Sequence, residues 1–172
     1  MTIQTTTLNE NASQVPAILK LYHQLARLPA GKWLFSKILC FKAPYFQSIN
    51  PRVVSLKPGY SEWHLRKRRK VTNHLGTVHA LAMGNLAEMC AGTCIEATLP
   101  AQLRWIPKSM HVDYLAKATT NLTGRCQLSA EQLQPGDNVV SVDIHDEHGT
   151  RVFHADINMY VSRKDKKHPS ET

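Results

Sequence analysis

Apolar residues recur along this chain with two periods, and the switch between them outlines the fold. From Val15 to Leu28 the residues Ile18, Leu21, Tyr22, Leu25 and Leu28 are three and four apart, one stripe of an amphipathic helix that Pro29-Ala30-Gly31 ends. Trp33 to Phe41 reads as a second short helical piece, with Trp33, Leu34, Ile38 and Leu39 apolar. Lys20, Arg27, Lys32 and Lys37 make this stretch basic; a helical layer packed on the domain is preferred to a membrane-surface helix. Pro44, Pro51 and Pro58-Gly59 punctuate the next thirty residues, with strands predicted at Arg52 to Leu56 and at Ser61 to Lys70. The second would carry the basic run Arg66 to Lys70 as its continuation.

Val71 to Ile95 holds a single charged residue, Glu88. Thr77 to Thr98 lacks proline and is apolar on nearly every side, which predicts a buried helix. A membrane span is the rival; Glu88, Asn85 and His79 argue against it, since one carboxylate costs about 2.5–3.5 kcal/mol at mid-membrane. After Pro100 everything reads as strand: Leu103 to Ala116, Asn121 to Gln132, then Val140, Val142 and Ile144 in alternation. Phe153, Ala155, Ile157, Met159 and Val161 alternate in the last, after a hairpin turn at Glu147-His148-Gly149. The order is helices, strands, one long apolar helix and a strand meander. The class is α+β, with a curved antiparallel sheet wrapped around the central helix.

The chain has 172 residues, 42% of them hydrophobic, enough for one domain with a sizeable core. Residues 1–14 are a polar N-terminus, 15–162 form the domain with a helical extension at 15–41, and 163–172 form a basic tail. Lys and Arg number 21 against 13 Asp and Glu, a net charge of +8. Arg66, Lys67, Arg68, Arg69 and Lys70 carry five of those charges and the tail from Arg163 two more, leaving +1 for the rest. Such a cluster suits a phosphate-bearing partner. The N-terminus lacks the basic start and apolar stretch of a signal peptide, so a cytoplasmic protein is expected. Cys40, Cys90, Cys94 and Cys126 form no CxxC pair, and no ligand comes after Cys90 and Cys94 at metal spacing; buried thiols and no metal or cofactor are expected.

A lone carboxylate in the middle of an apolar helix points to chemistry, because burying it unpaired is costly. Asn85 lies one turn before Glu88, and Gly84 and Gly92 flank it at four before and four after. Glycines there would leave open space on both sides, as a substrate approaching a base or nucleophile requires. The alternative is a Glu that faces solvent or an ion pair. Asn73-His74-Leu75-Gly76-Thr77-Val78-His79-Ala80 opens the helix, with Gly76 permitting a tight turn and Thr77 a candidate N-cap. Unpaired N–H groups at that helix end would polarise a carbonyl oxygen. His79 and Glu88 are nine residues apart, half a turn out of phase, so one subunit does not make them a side-by-side pair.

The motif Asn73-x-x-Gly76-Thr77-x-His79, with an acid nine residues on, resembles the helix entry of PaaI-like acyl-CoA thioesterases of the hotdog fold. Leu28-Pro29-Ala30-Gly31-Lys32-Trp33, Ala43-Pro44-Tyr45-Phe46 and Pro58-Gly59-Tyr60 look like one bacterial branch of that superfamily. The resemblance implies that Glu88 activates water or attacks the thioester carbonyl, that Asn73 orients water or the carbonyl, and that the Ala80 N–H is the oxyanion donor. His79 would support the loop or touch the thioester. Gly76, Thr77 and Asn85 would line the site, and Arg66, Arg68, Lys70 and Lys117 would bind coenzyme A phosphates. It also implies sites between the subunits of a homodimer or homotetramer. The chain departs from the pattern at Ala80-Leu81, where glycine is common after the histidine, and at Pro107, where relatives carry Ser or Thr; Ser109 is nearby. Three readings compete: hydrolysis of an acyl-CoA at a dimer interface, a non-catalytic acyl-CoA or lipid-binding protein, and a nucleic-acid binder using the basic run. The third lacks a supporting motif, and neither nucleic acid nor stable membrane insertion is expected.

Overall fold

The structure is a computed structural model and describes residues 15–164. The polar N-terminus 1–14 and the basic tail beyond Lys164 lie outside the described residues. The elements are α1 (Ala17–Ala26), α2 (Gly31–Lys42), β1 (Arg52–Lys57), β2 (Tyr60–Leu65), α3 (Ala80–Thr98), β3 (Leu103–Tyr114), β4 (Leu122–Gln127), β5 (Gly136–Asp146) and β6 (Arg151–Arg163). Short 3-10 turns lie at Pro44–Ser48, Arg69–Val71 and Ala130–Gln132.

Alternation in the strands sorts their side chains. Val140, Val142 and Ile144 of β5 and Phe153, Ala155, Ile157, Met159 and Val161 of β6 are all buried on the inner face. The six strands form one antiparallel sheet in the order β1-β2-β4-β5-β6-β3. The meander predicted after Pro100 holds for β4, β5 and β6. β3 departs from it: this strand crosses to the far edge and pairs with β6 from Leu103↔Arg163 to Tyr114↔Phe153. Only the long β6 gives a strand of that length a partner throughout.

Three predicted boundaries are corrected: the strand read over Asn121 to Gln132 ends at Gln127, with a 3-10 turn at Ala130–Gln132, and two others shift. The strand expected to run to Lys70 stops at Leu65, where its pairing with β4 ends at Leu122. Beyond it the Lys67 N–H turns to the Asn121 side chain (2.8 Å), and five adjacent cations avoid being stacked along a ladder. The central helix starts at Ala80 and not at Thr77. His79 is its N-cap, Nδ1 accepting from the Leu81 N–H at 3.1 Å. Thr77 is unavailable as a cap because Asn73 holds it.

The sheet curves around α3, which meets β1, β2, β4, β5 and β6 and has α1 and the turn at Pro44–Ser48 on its other flank. One polar node inside this core locks the helix to the sheet. Trp63 on β2 is fully buried, and its Nε1–H donates to Thr93 Oγ1 (2.9 Å) and Ser61 Oγ (3.0 Å). Thr93 in turn donates back to the Met89 carbonyl at 2.7 Å. Leaving a buried indole N–H unpaired would cost about 1–3 kcal/mol. Close approach fixes the rest: a Cβ on Gly124 of β4 would sit 2.8 Å from Cys90 Sγ and 3.3 Å from Leu86 Cγ. Gly124→Ala should therefore destabilise the protein by about 1–3 kcal/mol through overpacking, read as a lower urea midpoint; an unchanged midpoint would show that α3 is not pressed against β4.

Candidate functional site

The segment before α3 is a latch. Asn73 Oδ1 accepts from the N–H groups of Leu75 (3.0 Å) and Thr77 (3.2 Å), and its Nδ2 donates to Thr77 Oγ1 at 2.9 Å. The Asn73 N–H donates to the Thr77 carbonyl at 2.9 Å, closing a turn that Gly76 makes possible at φ 73°. Two further bonds clamp the strand-like exit of this turn: the Val78 N–H donates to the Ala118 carbonyl (2.9 Å) and the His79 N–H to the Val71 carbonyl (2.8 Å). Each neighbour is thereby tied to the helix entry. Lys117 adjoins Ala118, Lys70 adjoins Val71, and Lys67 Nζ reaches the Thr119 carbonyl at 2.9 Å.

This bonding leaves particular groups free at the head of α3. His79 uses Nδ1 as cap acceptor, so Nε2 carries the ring proton in the neutral form. The Ala80 N–H has no acceptor among the described residues. It stands at the positive end of a 19-residue helix, where an N–H stabilises negative charge on an oxygen. Beside it is a cavity of about 190 Å³ lined by Tyr45, Ser48, Lys70, His79, Leu81 and Asn85, among others. Asn85 is 6% exposed; its Nδ2 donates to Ser48 Oγ (3.1 Å) and the Tyr45 carbonyl (3.4 Å), while its Oδ1 has no partner among the described residues.

Glu88 lies elsewhere. It does not line that cavity, is half-buried, and has no hydrogen-bond or ion-pair partner among the described residues. Eight residues of helix separate it from Ala80, about 12 Å of rise. The two glycines that flank it differ: no atom lies within 4 Å of a Cβ built on Gly84, but one on Gly92 would meet Trp105 Cη2 at 2.9 Å. The open space expected on both sides of the carboxylate exists on one side only. Trp105 fills the other, its Nε1 donating to Glu96 Oε2 at 2.8 Å. The structure thus gathers Asn73, Gly76, Thr77, His79, Ala80, Asn85, Lys70 and Lys117 around the helix entry and leaves Glu88 apart from them. Arg68 lies toward the Ser48 side, its Nη2 on the Ser48 carbonyl at 3.2 Å, and Arg66 is exposed.

Sequence reasoning missed Tyr45, Ser48 and Trp105. Pro44 opening the 3-10 turn was the available signal for the first two. Trp105 could have been matched to Gly92 only with the pairing of β3 in hand. The four cysteines are buried and free. Burial pushes the Cys90 thiol well up, and a hydrogen bond with Cys94 together with burial raises Cys126, so neither is a nucleophile.

The fold is the hotdog fold. It is shared with PA5026 of Pseudomonas aeruginosa, a protein of unknown function and probable thioesterase: 20% identity, 80% of this chain and 97% of that one covered, TM-score 0.70. Thioesterase HI1161 of Haemophilus influenzae shares it at 13% identity, 73% and 87% coverage and TM-score 0.64. A structural-genomics crystal structure, APC5556, is nearer in sequence: 42% identity, 86% and 99% coverage, TM-score 0.76. Residues 31–161 match the model of DUF4442, a domain of unknown function, and the chain belongs to that family. No curated protein matches it.

Asn73 is the keystone of the latch, because three donors converge on its Oδ1. Asn73→Ala should lower stability by about 1–2 kcal/mol, and Asn73→Asp, which keeps the acceptor, should restore most of it in the same denaturation series. Equal losses for both would contradict this role.

Proposed function

We propose that this protein hydrolyses an acyl-CoA thioester to the free acid and coenzyme A, in a site that two copies of the chain build together. The observation that carries the reading is the pairing of two uncommitted groups on one helix: the free Ala80 N–H and the partnerless, half-buried Glu88 beside the open space at Gly84. The thioesterase relatives of the same fold support it.

The groups divide the work. The Ala80 N–H holds the carbonyl oxygen and stabilises the oxyanion. Glu88 takes a proton from water as the water attacks the carbonyl carbon, or attacks that carbon itself to form an acyl–Glu88 anhydride that water hydrolyses once the thiolate has gone. The C–S bond then breaks and the thiolate leaves, taking up a proton. Asn73, whose side chain is spent on the latch, positions the donor. His79 caps the helix and presents Nε2 to the cavity. Lys70 on the cavity rim, with Arg68 at Ser48, Lys117 next to Ala118 and the exposed Arg66, supplies the cations that coenzyme A phosphates need.

Reacting groups must come within about 3–3.5 Å of the carbonyl, and about 12 Å of helix separates the two within one chain. A second chain closes that gap. β3 is a 12-residue edge strand, and Met110 and Tyr114, on its inner face by register with Ile157 and Phe153, are left exposed. The opposite edge is guarded: Ser36 Oγ accepts from the Val53 N–H (2.9 Å) and Lys32 Nζ donates to the Val54 carbonyl (2.6 Å). Pro107, Lys108 and the bulge before Ser109 interrupt this edge, and the stretch beyond them, with its uncovered apolar side chains, suits pairing with a second copy. We place the protein in the cytoplasm, where its four free thiols would persist.

One observation favours the non-catalytic acyl-CoA-binding alternative: Trp105 at Gly92 narrows the room around Glu88. Thiol release from short, medium, long and aromatic acyl-CoAs separates the two. Wild type should turn over at least one member, and Glu88→Ala should lose about a hundredfold or more in kcat with binding retained. Binding without turnover in wild type would establish the alternative.

A further inference from the structure

The helical layer has a second apolar face that the domain does not use. Phe35, Ser36 and Cys40 turn α2 inward and are buried. On the opposite side Leu34, Ile38 and Phe41 are spaced by four and three residues, one stripe of a helix. Phe41 is 85% exposed and Leu34 40%, with Trp33 alongside at 48%. The stripe continues past the helix into Tyr45, 73% exposed, and Tyr45 shares the cavity rim with Leu81, 69% exposed. Large side chains standing this far out on a helix that already buries its other face need a partner.

Charge says which partner. The net charge of +8 conceals a split. Between Val15 and Ala87 there are twelve Lys and Arg and one acid, Glu62; from Glu88 to Lys164 there are seven and nine. Glu62 pairs with Arg125, which belongs to the second set, at 3.0 Å. None of the twelve cations is therefore in an ion pair among the described residues. They lie on connected elements: Lys32, Lys37 and Lys42 on α2, Arg52 on the adjoining β1, and Arg68 and Lys70 against the turn that carries Tyr45 and Ser48. Lys37 Nζ lies 5.9 Å from the Trp33 ring centre, a lysine stem beside an aromatic as at a lipid interface.

We infer that the outer face of α2 and the turn after it form a docking surface for an anionic membrane, with the stripe from Leu34 to Phe41 entering the headgroup boundary and the lysines meeting lipid phosphates. A second copy of the chain fits worse, since a two-fold contact here would set unpaired cations against unpaired cations. Nucleic acid fits worse too: bases could stack on Trp33, Phe41 and Tyr45, but the aliphatic Leu34 between them gives a base-stacking groove nothing to use. Contact is peripheral: no helix among the described residues is long and apolar enough to cross a membrane. The inference does not depend on thioester hydrolysis. It would set the mouth of the cavity at Tyr45 and Leu81 against the lipid, so that an amphiphile could enter from the membrane side.

Co-sedimentation of the full chain with phosphatidylcholine vesicles, with and without about a third of phosphatidylglycerol, tests it. Binding to the anionic vesicles should exceed binding to the neutral ones and weaken as salt rises. Leu34→Ser with Phe41→Ser should cut partitioning about tenfold, and so should the charge reversal Lys42→Glu, each with an unchanged melting temperature. Failure of the wild type to bind anionic vesicles overturns the proposal. So does a Leu34/Phe41 variant that binds as well as wild type, a variant of lower mass by light scattering, or displacement by duplex DNA that is equal for variant and wild type.

Discussion

A helix that is apolar on nearly every side sets the terms for this structure. Thirteen of the nineteen residues of α3 are buried, and one sheet cannot cover them all. The sheet curves to take one side, and α1 with the turn at Pro44–Ser48 takes another. Gly124 lets the helix press against β4, and the Trp63–Ser61–Thr93 node satisfies the polar groups that this closeness buries. The strip holding Gly84 and Glu88 stays open on the Gly84 side, and Met110 and Tyr114 on the inner face of β3 stay uncovered at the sheet edge. The proposed site and the proposed pairing of copies both arise from that incomplete coverage.

The helix entry meets a different constraint. An α-helix begins with unpaired N–H groups, and here the loop before it is too well bonded to supply acceptors for all of them. Asn73 and Thr77 satisfy each other, His79 satisfies Leu81, and Ala80 is left over among the described residues. A stiff latch holding one free donor is what a stable oxyanion position needs, because a donor that must reorganise during the reaction loses its advantage. The basic segment is tied to the same entry through Val71, which keeps the backbone of Lys70 next to that donor.

Much of the fold could be read from period alone. The alternation in β5 and β6 and the unbroken apolar run of α3 left little choice, because each face had to be buried. Boundaries set by long-range pairing were not legible. Leu65 ends β2 because β4 begins opposite it at Leu122, and β3 leaves the meander because β6 is its full-length partner. The site was half legible. Glu88 stood out as a lone charge and Ala80 through a motif that resembled a known family. The commitment of Asn73 to its own loop, the unpaired Asn85 oxygen beneath Tyr45, and Trp105 filling the space at Gly92 are tertiary facts with no local signal. The charge split was present in the sequence, but summing over the chain hid it.

In the proposed site one chain's carboxylate works on a carbonyl held by another chain's helix. Mixing two inactive variants tests it most directly. Glu88→Ala removes the carboxylate, and Ala80→Pro removes the donor at a first helical position that tolerates proline. Co-expressed and purified as the mixed species through two different tags, the pair should recover thioester turnover, since one of the two sites then combines an intact Glu88 with an intact Ala80. Mixed species as inactive as either parent, with the fold intact, would contradict a site shared between chains.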